Sequence, residues 1–446
     1  MSSDNREAAY PSSRLAWRVT LLLTFAYMLS FVDRQIVNLL VEPIQQDLQI
    51  SDTQVSLLQG FAFIITYILF SIPLGRLADT HSRKLIVAGG VLFWSLATAA
   101  CGLANSFRQL FVARAAVGMG EAALTPAAWS MMADYFPPER RGFPISVFLM
   151  GPYLGAGFSM ILGGALMGMM ADVSVVTLPL VGDLKPWQVT FMVVGAPGVL
   201  VALLFLRVME PVRMQSSLYP AGAAAGETGQ ASAGIVQVLM NQASIYAALL
   251  VGVPLLVIVL YGLQAWVPSY LVRTFDLSVQ EAGLRYGFIA LLSGSAGVLS
   301  GPVIGRWMAA RGMVDYPLRL ACYASLGVCP FLLVLPLTSS VNIALAAVVA
   351  ASVLVTLPLA LAASTLQNIT PGTMRGVIAG VYVVMTSGVG MGLGPTLIAL
   401  CTDYIVQDRA LVGESLAIVG IAVAVSASLL FLRALRPYRS LVASGQ

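Results

Sequence analysis

Residues 15–41 read LAWRVTLLLTFAYMLSFVDRQIVNLLV, a long apolar run interrupted by few charges. A helix that crosses a bilayer needs about 20 mostly apolar residues. The run is too long for the apolar core of a signal peptide, and it lacks a small-residue cleavage site. We therefore expect it to be the first membrane helix, retained in the mature protein after a short polar start.

Eleven further apolar runs predict that the fold is an all-α membrane protein with twelve transmembrane helices. Of all residues, 58% are hydrophobic and 10% are charged, whereas about a quarter are charged in soluble domains. The runs are too long and too uniform for barrel strands, whose residues alternate. The runs cover approximately residues 55–77, 85–104, 108–133, 143–168, 189–208, 241–271, 284–307, 317–336, 341–366, 374–402 and 411–433.

The basic residues predict the orientation of these helices. With the N-terminus in the cytoplasm, 17 of the 24 Lys and Arg residues fall on cytoplasmic segments and five fall outside. This asymmetry follows the positive-inside rule and predicts that both termini are cytoplasmic. The short loops favour a bacterial inner membrane, with an organelle membrane as the alternative.

The chain also repeats itself in a way that predicts its domains. The stretch PPERRG at 137–142 has a counterpart in PGTMRG at 371–376, and Gly75-Arg-Leu has one in Gly305-Arg-Trp. The two offsets are nearly equal, and two parallel repeats of six helices explain both. We expect an N-terminal bundle at 1–208, a flexible cytoplasmic linker at 209–240 and a C-terminal bundle at 241–446.

The loop after the second run carries a recognisable motif. It reads GRLADTHSRK at 75–84 and resembles the loop signature Gly-x-x-x-Asp-Arg-x-x-Arg-Lys of the major facilitator superfamily. Thr80 replaces the first arginine, and Ala309 replaces the aspartate in the second half. The resemblance implies a one-sided cytoplasmic latch between the halves, although the basic residues could merely set topology. The predicted latch comprises Gly75, Asp79, Arg83, Lys84 and Arg141.

Further matches resemble the Spinster branch of this superfamily, whose animal members move sphingolipids and lysophospholipids. They include FVDR at 31–34, RAAVGMGEA at 114–122, DYFP at 134–137, GAPG at 195–198 and EP at 210–211. The resemblance covers the whole first half, while the second half matches only at superfamily level. It implies alternating access around a cavity between two six-helix bundles.

Four ionisable residues lie well inside the predicted helices: Asp33, Arg34, Arg114 and Glu121. Such residues are costly in a membrane and usually face partners inside the protein. Asp33 and Arg114 lie at similar depths, so we expect them to pair. Glu121 has no obvious cation unless Arg34 reaches it, and Arg34 could instead face the cavity.

Asp33, Glu121 and Arg114 are our candidates for proton coupling. A low dielectric disfavours a charged carboxylate while a nearby arginine favours it, so reversible protonation is feasible. The resemblance points the same way, because matching positions serve proton coupling in related transporters. The alternative is a static ion-pair network that fixes helix packing.

We expect a proton-coupled secondary transporter whose substrate is a lysolipid or another small amphipathic organic anion. Arg34, Tyr261, Gln264, Trp266 and Tyr382 are the candidate cavity residues, because they combine a charge on one wall with apolar and polar groups on the other. The expected partners are this substrate, protons and the lipid bilayer, and the expected state is a monomer. With one histidine, and with all four cysteines in apolar runs, we expect no metal or cofactor. The sequence has no stripe of basic and aromatic residues of the kind that indicates nucleic-acid binding, so we expect no nucleic-acid partner.

Other functions stay open at this stage. A facilitator for a small organic acid or drug is the nearest alternative, and a channel or a membrane-embedded enzyme such as an acyltransferase belongs to another class. The sequence contains no phosphate-binding Gly-x-x-x-x-Gly-Lys-Ser/Thr loop. Work must therefore come from an ion gradient, or the protein is a passive carrier.

Overall fold

The structure, a computed structural model, describes residues 10–137, 140, 142–179, 182–211, 213, 239–370 and 375–444. Most of the predicted linker at 209–240 lies outside these residues, as do Arg141 and much of the two repeated loops at 137–142 and 371–376. The side chain of Asp79 is likewise outside the described part, although its main chain belongs to a helix.

The described residues are helical almost throughout. In lipid no water can satisfy the peptide groups, so each segment bonds its own main chain. The helices are α1 Ser13–Leu39, α2 Val41–Leu48, α3 Asp52–Gln59, α4 Phe61–Thr80, α5 Arg83–Cys101, α6 Phe107–Glu121, α7 Leu124–Tyr135, α8 Gly142–Met169, α9 Pro186–Leu206, α10 Ala243–Ala247, α11 Val253–Phe275, α12 Val279–Ala310, α13 Tyr316–Leu337, α14 Val341–Thr356, α15 Leu359–Ile369, α16 Arg375–Val383, α17 Gly392–Leu400 and α18 Val412–Ala443.

Eleven helical segments among the described residues are long and apolar enough to cross a membrane. The remaining predicted segment, 108–133, is the fourth along the chain. It forms two consecutive helices, α6 and α7, each shorter than a full crossing. Pro126 explains the interruption, because it has no N–H to donate to the Ala122 carbonyl one turn earlier. The predicted run is therefore present, broken next to Glu121.

Irregular helical geometry interrupts the second half of the chain. Wider π-helical turns occupy Ala248–Gly252, Val384–Met391 and Cys401–Val406, where they join α10 to α11, join α16 to α17 and follow α17. Such turns often occur at functional sites. Between α8 and α9, two short strands, β1 Val176–Leu178 and β2 Gly182–Leu184, pair in an antiparallel hairpin.

The described residues fall into two compact groups. One group contains Met1–Val212, Gln264–Leu292 and Pro395–Ser415, and the other contains Arg213–Leu263, Ser293–Gly394 and Leu416–Gln446. The first group thus includes parts of α11, α12 and α17 as well as the helices before the linker. The two-bundle division at the linker stays a prediction.

Close helix packing in the first group depends on small residues. Helices α1 and α8 lie against one another, and so do α5 and α9. At Gly155 of α8 a Cβ atom would lie 2.3 Å from the Met28 carbonyl oxygen of α1, which no larger residue tolerates. The glycines of α8 therefore serve packing, which is the usual use of small residues in membrane helices.

Candidate functional site

Two adjacent ionisable residues lie on the final turns of α1. The side chains of Asp33 and Arg34 are both buried. Successive residues of an α-helix point about 100° apart, so these two side chains reach different neighbours. Because an uncompensated buried charge is costly, each neighbourhood must supply opposite charge or hydrogen bonds.

Arg34 forms an ion pair with Glu121 at the end of α6. Its Nη2 atom lies 2.5 Å from Glu121 Oε2. The guanidinium also lies over the rings of Phe31 and Phe63, 4.3 and 4.2 Å from their centroids. Gly118 permits this arrangement, since a Cβ atom there would lie 2.3 Å from the Phe63 carbonyl oxygen. Arg34 is therefore the cation that pairs with Glu121, which the sequence offered only as one possibility.

Arg114 binds main-chain oxygens in place of the expected pair with the Asp33 carboxylate. Its guanidinium donates hydrogen bonds to the carbonyls of Asp33 at 2.8 Å, Arg34 at 3.2 Å and Leu58 at 3.3 Å. The depth match with Asp33 is present, but the guanidinium N–H donors reach three separate carbonyl oxygens and form no ion pair with the Asp33 carboxylate among the described residues. Arg114, in the middle of α6, thus ties α1 to α3.

The Asp33 carboxyl lies beside Trp94 and Thr98 of α5. Its Oδ1 atom is buried and has no hydrogen-bond partner among the described residues, and the same is true of Glu121 Oε1. An ionised carboxylate that is buried without a full set of donors is destabilising. Each of the two acids therefore presents one oxygen that could carry a proton.

We expect Arg114→Ala to lower thermal stability and transport far more than Arg114→Lys. Alanine leaves three buried carbonyls without their donor, and hydrogen bonds to a charged group contribute about 1.5–3 kcal/mol each. Lysine keeps the charge but gathers its donors on one nitrogen. Unfolding temperature in detergent and uptake into proteoliposomes are the measurements.

Arg108→Ala is the matched control for this pair of variants, because Arg108 lies on the same helix and is exposed. If Arg114→Ala unfolds and transports like Arg108→Ala, Arg114 does not hold α1 and α3 together.

The predicted cavity residues differ in their surroundings. Gln264 of α11 accepts a hydrogen bond from Gln35 of α1 at 2.8 Å, so it contacts the residue next to Arg34. Trp266 is fully buried, and its indole N–H donates to a main-chain carbonyl. Tyr261 and Tyr382 belong to the other compact group and are half-buried. A role of these residues in substrate binding stays a prediction.

A second charged cluster lies at the predicted extracellular end of the same compact group. Arg273 of α11 bonds both oxygens of Asp52, at 2.8 Å each, and Glu42 at 2.6 Å. Gln45 donates to Asp52 at 2.6 Å and accepts from Arg273 at 2.7 Å. The Asp52 side chain is fully buried and that of Arg273 is 7% exposed. We call these four residues the outer cluster.

Two neighbouring contacts tie the outer cluster to the segment after α17. Asp403 accepts hydrogen bonds from the main-chain N–H and the hydroxyl of Thr53, at 2.8 and 2.6 Å. Arg409 donates to the Ile50 carbonyl at 3.3 Å. Segments from opposite halves of the sequence therefore meet here, at the start of α3.

The outer cluster was not predicted from the sequence. Ser51-Asp52 has the pattern of a helix start, and Ser51 does cap α3 by a reciprocal bond with Gln54. In the sequence, Arg273 is one of the five basic residues that fall outside the cytoplasmic segments. Asp52 at the start of α3 needs a cation because its side chain is buried, and that burial is visible only in the structure.

The basic end of the predicted latch contacts other residues of the first compact group. Arg83 forms ion pairs with Asp134 of α7 and, at 3.0 Å, with Glu210 after α9. The main-chain N–H groups of Arg83 and Lys84 each donate to Glu210 at 3.0 Å, and Ser82 donates its hydroxyl. Glu210 therefore accepts the unsatisfied donors at the start of α5.

The rest of the predicted latch has a mixed outcome. The Lys84 ammonium donates to the Val208 carbonyl at 3.1 Å. At Gly75 a Cβ atom would lie 3.7 Å from the nearest side-chain atom, in Pro126, which is an ordinary contact. The described neighbours of Gly75 therefore do not require a glycine at this position. Asp79 and Arg141 lie outside the described side chains, so the latch between the halves stays a prediction.

The second half holds a counterpart of the Arg83–Glu210 ion pair, with the positions of the acid and the base exchanged. Asp315, at the start of α13, is bonded by Arg319 at 2.9 Å and by Arg439 of α18 at 3.0 Å. The positions of Glu210 and Arg439 differ by almost the repeat offset seen in the sequence. Each half thus ties the start of its third membrane-spanning segment to the end of its sixth. The acid and the base stand at opposite ends of the contact in the two halves.

We expect Glu210→Gln to destabilise the protein at neutral pH and to have little effect in acid. Burial raises the pKa of Glu210, but hydrogen bonds from Lys84, Ser82 and Arg83 lower it by more, so its pKa lies below its usual range. Such a depressed pKa adds stability above the unfolded-state value of about 4.3, and that stability is lost as the pH falls through the folded value.

The measurement is the difference in unfolding temperature between wild type and Glu210→Gln across a pH series, with exposed Glu281→Gln as the control. A difference that stays constant with pH would contradict the assignment of this stability to the Glu210 charge.

Comparison with known proteins agrees with this architecture. The profile described as the Major Facilitator Superfamily matches residues 23–395. An "MFS-type efflux pump" of Mycolicibacterium smegmatis is 32% identical over 303 residues, which are 68% of this chain and 65% of that protein. The rat "Protein spinster homolog 1" is 26% identical over 415 residues, covering 86% of this chain and 72% of that protein.

A solved structure is also similar. It is described as a bacterial homolog of the human lysosomal transporter Spinster in an inward-facing, unoccupied conformation. It has 26% identity and a TM-score of 0.76, over 96% of this chain and 97% of that chain. The resemblance to the Spinster branch drawn from the sequence is therefore confirmed.

Proposed function

The chain belongs to the Major Facilitator Superfamily, and from this premise we propose that it moves an amphipathic organic anion by proton-coupled alternating access. Membership makes the protein an integral membrane transporter and not an enzyme. The substrate, the coupling and the membrane are the proposed parts. The observation that carries the coupling is the buried Arg34–Glu121 pair beside Asp33, in which both acids have an oxygen without a partner among the described residues.

The pair can work as an exchange site. When Glu121 is charged, Arg34 compensates it at 2.5 Å. When Glu121 takes up a proton, Arg34 loses this negative charge and stays between Phe31 and Phe63, able to attract an anionic ligand. Protonation and anion binding then act on the same cation, which couples the two.

The lipid-like character of the substrate rests on the Spinster relatives and on the mixed character of the site. Arg34 offers one charge among aromatic rings, which suits a ligand with an anionic head and an apolar body. The similarity to an efflux pump supports the second candidate, a drug or small organic acid. The chain spans 65% of that relative's length, so its activity is a proposal for this protein.

The test is counterflow in proteoliposomes with a fluorescent lysophosphatidylglycerol, with and without an imposed pH gradient. Saturable counterflow that the gradient accelerates and that unlabelled lysolipid inhibits supports the proposal. Inhibition by small carboxylates and not by lysolipid favours the second candidate. Unsaturable flux with single-channel currents would contradict a transporter mechanism.

We also propose a bacterial inner membrane with both termini cytoplasmic, and a monomeric two-bundle protein. The excess of basic residues on one side of the segments supports this orientation. Reporter fusions at residue 446 and within 214–238 should both be active in the cytoplasm. A fusion active only outside would reverse the orientation.

A further inference from the structure

An apolar groove of about 560 Å³ lies between α4, α5 and the α6–α7 break. Its size falls in the usual range of small-ligand pockets, roughly 300–1,000 Å³. The four central ionisable residues are absent from its lining. The groove is therefore separate from the exchange site, and a ligand bound there does not depend on the proposed function. Residues that define its course are Leu77, His81, Leu85, Gly89, Phe93 and Gly120.

Polarity changes along the groove in one direction only. His81 and Ser82 are the polar side chains in its lining, and both lie in the turn between α4 and α5. From there to Phe93 the walls are aliphatic, aromatic or glycine. Because α4 and α5 belong to membrane-crossing segments, the polar end lies at the interface and the apolar end lies in hydrocarbon.

Glycines give the groove its shape. At Gly90 a Cβ atom would lie 2.7 Å from Ala123, and at Gly120 one would lie 2.8 Å from the Trp94 nitrogen, so these two positions hold the helices together. At Gly89 a Cβ atom would meet nothing within 4 Å. Gly89 therefore leaves open space that packing of the protein itself does not require.

The length of the groove suits a single hydrocarbon chain. Leu85 and Phe93 are eight residues apart on α5, which is about 12 Å along a helix. That distance runs from the interface towards the middle of a hydrocarbon core of about 30 Å. Leu77, Leu85 and Phe93 are each about half exposed along this path, so its open side faces lipid.

Basic residues lie near the polar end, beside the Glu210 carboxylate that accepts a hydrogen bond from the Ser82 hydroxyl. Exposed Arg76 and His81 and half-buried Lys84 lie within nine residues of one another around the turn. Cationic groups at the level of the headgroups attract phosphate. We propose that the groove binds one bilayer phospholipid, with an acyl chain along Gly89 and its phosphate at His81. The acyl chain packs against Met119 and Gly120 and so supports α6 next to Glu121.

The test compares phospholipid retained by purified protein in native mass spectrometry after incubation with dioleoyl phosphatidylglycerol. We expect Gly89→Phe to fill the groove and reduce retention of one phospholipid about tenfold. Gly380→Phe is the matched control, because a Cβ atom at Gly380 also meets nothing within 4 Å. Both variants should unfold at the wild-type temperature in lipid-free detergent.

Two further arms decide the headgroup and guard against misfolding. His81→Ala should weaken retention of phosphatidylglycerol and leave that of dioleoylglycerol, which has no phosphate, unchanged. Leu85→Trp replaces Gly89→Phe if the latter does not fold. Equal retention by wild type and the filled variants would overturn the proposal, and so would retention of lysophosphatidylglycerol in place of the two-chain lipid.

Discussion

Glu121→Gln is expected to abolish acceleration of transport by a pH gradient while leaving folding and substrate binding intact. Glutamine keeps the shape of the protonated acid but cannot release a proton. Arg34 loses the carboxylate 2.5 Å away and keeps its contacts with the rings of Phe31 and Phe63. The variant is therefore held in the state that corresponds to protonated Glu121.

The measurement is lysolipid flux in proteoliposomes with and without an imposed pH gradient. Wild type should respond to the gradient by about tenfold, equivalent to about 1.4 kcal/mol, and Glu121→Gln should not respond. Exchange down a substrate gradient should persist in the variant. Glu281→Gln is the matched control, because Glu281 is half exposed and lies 4.0 Å from Arg285, its ion-pair partner on the same helix.

A Glu121→Gln variant that responds to the gradient like wild type would make the Arg34–Glu121 pair structural. Asp33 would then be the remaining central acid with an unpartnered buried oxygen among the described residues. Its Asn variant, assayed in the same way, would decide whether coupling resides at α1 or is absent.

Arg273→Ala is expected to open the predicted extracellular end. Removal of Arg273 leaves the fully buried Asp52 and the nearby Glu42 without their cation. Removing one partner of a buried ion pair typically costs about 3–5 kcal/mol. That penalty falls only on the state in which α11 contacts α2 and α3, so the population should shift away from it.

Spin labels at Gln46 and Thr274, both exposed near the outer cluster, report this change. The distance distribution between them should lengthen in Arg273→Ala, and the unfolding temperature should fall. The control is Arg285→Ala, since Arg285 is exposed and lies 4.0 Å from Glu281. Unchanged distances in Arg273→Ala would refute a closing role.

A paired replacement separates closure from simple stability. Arg273→Met combined with Asp52→Leu removes the two most buried charges and leaves Glu42, whose side chain is 18% exposed, so the unfolding temperature should recover partly towards wild type. The lengthened distances should remain, because the bonds that join α11 to α3 are still missing. Recovery of both quantities would mean that apolar packing closes this end without the ion pairs.

Much of the architecture was predictable because lipid imposes a simple rule. A membrane segment must be long, apolar and helical, so the runs in the sequence give the helices almost directly. Eleven of the twelve predicted runs correspond to helical segments that are long and apolar enough to cross a membrane among the described residues, although the run at 341–366 is divided into α14 and α15. The run at 108–133 predicts one helix, but the structure divides it into α6 and α7 next to Pro126.

Partners inside the bundle were harder to predict. Depth arguments brought Asp33 and Arg114 to the same level, but they could not distinguish a carboxylate from a main-chain carbonyl of the same residue. The rotation of α1 about its own axis decides which side chain faces α6, because about 100° separates the side chains of Asp33 and Arg34. The Arg34–Glu121 pair was named only as one alternative, since loop lengths do not fix how neighbouring helices rotate.

The sequence by itself determined the membrane-spanning class, the superfamily resemblance and the four charges that must lie inside the protein. These follow from local composition and spacing, which act along the chain. Only the tertiary structure decided that Arg273 bonds the distant Asp52, and that Arg83 holds Glu210 rather than acting as a loop charge alone. The physical reason is that a buried charge constrains its surroundings to supply a partner, but not which distant segment supplies it.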